Sequence, residues 1–209
     1  GLANNDARPV ELIVPQSSTV SGTLYWLDAT GTRHDLEAGT AWQVSAANVI
    51  TDHTASTPTV VEVRGGLGAS GTGPSWSVAG QAAGTAAYTI TVDDGRFDDA
   101  AATVTVAPGT NPAAVDVALA PRSATISGTV TADGNPLSGA TVTLDPGAGG
   151  TVRTATTDTN GQWIRSGLLP GTWTVTVAKA NHQVATQPGT VTVGPGETGT
   201  AGAGVLHQL

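Results

Sequence analysis

Between residues 124 and 177 the chain alternates with a period of two. Ile126 and Val130 stand among Thr125, Ser127, Thr129 and Thr131, Val142 and Leu144 beside Thr141 and Thr143, and Trp173, Val175 and Val177 among Thr172, Thr174 and Thr176. Successive side chains of a strand point to opposite faces, so each run buries one face and wets the other. Turn signals end the runs: Asp133-Gly134 with Pro136 behind it, then Asp158, Asn160 and Gly161 before Trp163, then Pro170-Gly171. Short strands punctuated in this way predict a β-sandwich.

The ordered motifs of this stretch are Ser127-Gly128-Thr129-Val130, Asp133-Gly134, Pro136-Leu137-Ser138-Gly139-Ala140-Thr141-Val142, Thr157-Asp158-Thr159-Asn160-Gly161-Gln162-Trp163 and Leu169-Pro170-Gly171-Thr172-Trp173. Together they resemble a carboxypeptidase regulatory-like domain over residues 122–207. The resemblance implies a transthyretin-like (prealbumin-type) sandwich. It also implies an accessory role, since the family's members are modules on secreted peptidases, outer-membrane receptors, surface adhesins and virion proteins. Trp163 and Trp173 stand where Phe or Tyr is commoner, a large-for-large exchange at core positions.

Upstream, the hairpin of residues 88–106 resembles the last two strands of bacterial immunoglobulin-like surface domains. With strand-like runs at residues 11–14, 20–27, 32–36 and 41–44, at Val60, Val61 and Val63, and from Trp76, it suits an immunoglobulin-like sandwich. The expected fold class is therefore all-β, with two tandem β-sandwich domains, immunoglobulin-like followed by transthyretin-like. Residues 1–9 read as a flexible arm, 10–120 as the first sandwich with a linker strand, and 121–209 as the second. Residues 45–58 fit a helical turn or a strand, and residues 65–74 read as a mobile glycine-rich loop. In the linker, Val115, Val117 and Leu119 alternate with Asp116 and Ala118, which would either close the first domain or form a stiff bridge. The two halves are not copies of each other.

Composition narrows the role. Charged residues make up 11%, against about 25% in ordinary globular proteins. The net charge of −8 sits in residues 1–120, with 12 acidic and 4 basic side chains, while residues 121–209 hold 4 of each. Neither half offers the basic face that nucleic acid requires. There is no Cys, so neither a disulfide nor thiolate chemistry is available. No apolar run is long enough for a membrane helix. With no Met present, Gly1 would follow a removed initiator, a cleaved leader or a cut in a longer chain.

Candidate chemistry is sparse. Asp93, Asp94, Asp98 and Asp99 could supply oxygen ligands to calcium, the one cofactor the residues raise, but the spacing lacks the usual calcium-loop pattern and suits a solvated hairpin tip. His34, His53, His182 and His207 show no metal-ligand spacing. Ser70 only approaches a nucleophile elbow and has no strand-to-helix turn around it. The only lysine, Lys179, lies beyond a late strand, which argues against an intramolecular isopeptide bond. Most of the large rings are needed to fill the cores. Tyr25 and Trp26 are adjacent and so face opposite ways in a strand, which makes one of them the best candidate for ligand or interface contact.

These readings point to a non-enzymatic structural or adhesive surface module. It would be a phage virion decoration, fibre or tail component, or a segment of a bacterial surface protein, located at an extracellular surface or on a virion. Its partners would be proteins of that assembly, with glycans as further ligands, assembly into a homo-oligomer, no nucleic acid and no membrane insertion. The alternative is a carbohydrate-binding accessory region of a secreted hydrolase.

Overall fold

Every regular element among the described residues is a β-strand. The structure, a computed structural model, describes residues 18–52, 59–62, 67–81, 84–107 and 109–209, with residues 47–52, 59–62 and 67 described by backbone alone. The proposed arm at residues 1–9, the run at 11–14, Val63 and His53 lie outside the described residues.

The first sandwich has two sheets. One centres on Ser18–Leu27, which pairs antiparallel with Ser75–Gln81 and Arg33–Asp35 and parallel with Val117–Ala118. In the other, Ala41–Asp52 pairs with Gly84–Val92, which pairs in turn with Ala100–Val106. The alternation read from residues 88–92 holds: Tyr88, Ile90 and Val92 face inward against Trp42, Val44, Trp76 and Leu24.

In the second sandwich Ala124–Ala132 carries Gln162–Leu168 antiparallel, and both Thr198–Thr200 and Gly204–Gln208 parallel. The facing sheet runs Arg153–Thr156, Thr141–Asp145, Gly171–Ala178, Gly189–Val193. Its inner face presents Val142, Leu144, Trp173, Val175 and Val177 to Ile126, Val130 and Trp163. Its outer face is largely threonine, the wet half of the same alternation. The two cores form separate hydrophobic clusters.

Three segments depart from, or settle, the sequence reading. Residues 45–52 continue the strand Ala41–Asp52 and form no helical turn. The glycine-rich stretch read as a mobile loop contains the strand Leu67–Thr72, paired from Ala41↔Thr72 to Ala46↔Leu67. The linker strand closes the first sandwich: Val115 donates its N–H to the Ser21 carbonyl and Leu119 to that of Tyr25, and Val117 and Leu119 are buried in the first core.

The loop reading failed because glycine inside a strand normally marks a break. Here it makes room for a ring. Three tryptophans lie directly across a sheet from a glycine: Trp76 from Gly22, Trp42 from Gly71 and Trp163 from Gly128. A Cβ on Gly71 would stand 2.6 Å from the Trp42 ring, and one on Gly128 would stand 2.8 Å from the Trp163 ring. A Cβ on Gly22 would overlap the Val115 carbonyl and so push off the closing strand.

Gly71→Ala and Gly128→Ala should therefore each destabilise by about 1–3 kcal/mol through overpacking. Gly68→Ala, on the same strand as Gly71, would meet only the Val44 carbonyl, at an ordinary 3.5 Å. It should be neutral or slightly stabilising. Urea unfolding followed by tryptophan fluorescence distinguishes the three.

Candidate functional site

The chemistry-bearing residues of the first sandwich gather at the end that meets the second. Ser18–Leu27 finishes there in the turn Asp28-Ala29-Thr30-Gly31. Asp28 builds this turn from its own carboxylate. Its Oδ1 accepts the Thr30 N–H at 2.9 Å, the Thr30 hydroxyl at 2.7 Å and the Thr32 N–H at 2.9 Å. Its Oδ2 lies 3.0 Å from His34 Nε2. His34 in turn stacks on Trp26, with centroids 4.4 Å apart and planes 17° apart.

The turn is a knob, and the second sandwich supplies its socket. Ala29 is 8% exposed and belongs to the second core although the first sandwich carries it. Its N–H donates to the Pro170 carbonyl at 2.8 Å. The socket wall is the run Gly147-Ala148-Gly149-Gly150. A Cβ on Gly150 would stand 2.6 Å from the Ala29 carbonyl oxygen, and one on Gly149 would stand 3.0 Å from that of Thr30. Glycines there let two backbones approach closer than any side chain permits.

A second strap runs beside the knob. Ala120–Pro121 pairs with Phe97–Asp98, and the Arg122 N–H donates to the Arg96 carbonyl at 2.8 Å. Asp98 reaches Arg122 at 3.5 Å. Arg96 is held by Asp94 at 2.6 Å and Glu37 at 3.3 Å, and the Asp94 hydrogen bond is the main reason its guanidinium pKa is raised.

Tyr25 and Trp26 are both half-buried. The Arg33 guanidinium covers the Tyr25 ring at 4.1 Å while pairing with Asp35 and Asp116. His34 covers one face of Trp26, and Phe97 meets it at 6.4 Å. Both rings thus buttress the junction end of the first sandwich.

The structure does not bring the four hairpin acids together. Asp93 accepts from Gln43, Asp94 from Arg96, Asp98 faces Arg122 and Asp99 is exposed. Among the described residues no group of three or more His, Cys, Asp or Glu side chains is placed to hold a metal ion. His182 and His207 lie at the far end of the second sandwich, where His207 Nδ1 sits 2.8 Å from Asp133. Ser70 is exposed on its strand, and Lys179 donates to the Ser138 carbonyl. The residues that sequence reasoning missed are Ala29, Gly149 and Gly150. Their only signal was the glycine-rich break after Leu144.

The molecule these elements define is an all-β protein of two sandwiches joined end to end. The family model of the carboxypeptidase regulatory-like domain matches residues 125–203, so the second sandwich is a carboxypeptidase regulatory-like domain. No curated protein matches the chain. Among solved structures, the Bacillus anthracis TIE protein aligns over 92% of this chain at 12% identity with a TM-score of 0.39, and this chain spans 34% of its length. The minor pilin GBS52 of Streptococcus agalactiae aligns over 92% of this chain and 96% of its own at 12% identity, TM-score 0.37. The shaft pilin SpaA of Lactobacillus rhamnosus GG aligns over 93% and 98% at 12% identity, TM-score 0.30.

The junction has a pH signature. Burial alone would raise the Asp28 carboxyl, but the hydrogen bonds from His34, Thr30 and Thr32 outweigh it and bring the pKa from 3.8 to about 2. A carboxyl whose folded pKa lies below its unfolded one stabilises the fold above about pH 4 and loses that contribution as pH falls toward 2. Asp28→Asn should lower stability at pH 7 by about 1–3 kcal/mol. It should also flatten the loss between pH 4 and pH 2, as read by urea titrations across that range.

Proposed function

We propose that the chain is a non-enzymatic structural module of an extracellular or particle surface, acting as a stiff spacer of two domains divided near Pro121. The junction carries this reading. Two sandwiches joined by a flexible linker would move independently. Here the Asp28-Ala29-Thr30-Gly31 knob sits in a glycine socket, and Arg122 is hydrogen-bonded on both sides, to the Arg96 carbonyl and from the Gly196 N–H. The threonine-coated outer face of the second sandwich, whose residues carry equal numbers of acidic and basic side chains, and its accessory-type family support the same role. Neighbouring proteins would be met through strand edges and faces.

Two measurements test this. Protease shaving of intact producing cells or purified particles should release peptides from residues 121–209, and recovery only from lysed cytosol would overturn the surface role. For the spacer, small-angle scattering should fit a single extended body. Gly150→Val should broaden the distance distribution and split one thermal transition into two, because a side chain there meets the Ala29 carbonyl oxygen at 2.6 Å and overlaps the Pro146 ring, so the socket wall must shift and Ala29 leaves the second core. Independent motion already present in the unmodified protein would sink the stiff-joint reading.

A further inference from the structure

The outer face of the second sandwich carries a depression of about 550 Å³ on the strands Ala124–Ala132 and Gln162–Leu168. Its wall offers the hydroxyls of Ser127, Thr129 and Thr200, the amide of Gln162 and the carboxylate of Asp158. Ile164 stands among them and is 66% exposed, although every other large apolar side chain of its strand is buried. Register places Ile164 opposite Ser127, with Thr200 on the far side of Ser127, and Gln162 opposite Thr129. An apolar platform is thus ringed by hydrogen-bonding groups, and no cationic side chain lines the depression.

We infer that this depression binds a neutral saccharide. Ile164 meets the apolar C–H face of a sugar ring, and Gln162, Ser127, Thr129 and Thr200 meet its hydroxyls. The Asp158 Oδ1 is spent on the Asn160 and Gln162 N–H groups, which leaves Oδ2 to accept from a hydroxyl. A charged ligand fits less well: the site has no cation for an acidic sugar and only one carboxylate for a basic one. The inference goes beyond the spacer role and is independent of the junction, since none of its residues contacts the first sandwich in the knob or the strap.

The test is an NMR titration of the full chain with cellohexaose, xylohexaose, maltohexaose and chitohexaose. At least one should saturate, with the largest amide shifts at Ser127, Ile164 and Thr200. The doubly substituted Ile164→Ser, Gln162→Ala protein alters only exposed side chains and should keep its melting temperature while binding about tenfold or more weakly. No saturation with any of the four would overturn the proposal. So would unchanged binding in the double variant, or shifts centred on another part of the surface.

Discussion

An indole laid across a glycine is the contact on which both cores depend. The chain has five Trp, two Tyr, one Phe and no Met, so bulk for two sandwiches must come from a few rings. A ring that size cannot lie flat over a neighbouring strand carrying a Cβ. Gly22, Gly71 and Gly128 are therefore packing residues, even though glycine on its own weakens a strand. The backbone entropy they cost is offset by the apolar area each ring buries. Gly22 also admits the closing strand at Val115, which couples ring packing to the way the first sandwich ends.

The junction applies the same device between sandwiches. Gly149 and Gly150 lack the side chains that would hold the Asp28-Ala29-Thr30-Gly31 turn away, so Ala29 is shared into the second core. Among the described residues the hydrogen bonds of the Asp28 carboxylate stay within the first sandwich, to Thr30, Thr32 and His34. Asp28 holds the turn in shape, with His34 and Trp26 stacked behind it, and a turn of fixed shape can be received by a fixed socket. Local electrostatics thereby bears on how the two sandwiches are held together, since the carboxyl that shapes the turn is the one whose pKa is lowered.

Much of this was legible beforehand. The alternation in residues 124–177 survives residue for residue as inner and outer faces, because a period of two has one physical meaning in a half-buried strand. The hairpin around Asp93-Asp94-Gly95 was readable for the same reason. The loop assignment over residues 65–74 was not readable, since local sequence cannot report that Trp42 lies opposite Gly71. The four hairpin acids looked like one cluster because they are close in sequence, yet strand geometry and the basic partners Arg96 and Arg122 send them in different directions.

The linear chain by itself determined the β class, the positions of most turns and which side chains seek a core, since these depend on neighbours one to four residues apart. Only the tertiary structure decided that Ala29 belongs to the second core, that residues 110–119 complete the first sandwich, and that Tyr25 and Trp26 are covered by Arg33 and His34. Each of those outcomes is a contact between segments whose complementarity of shape and charge exists only once the strands are in register.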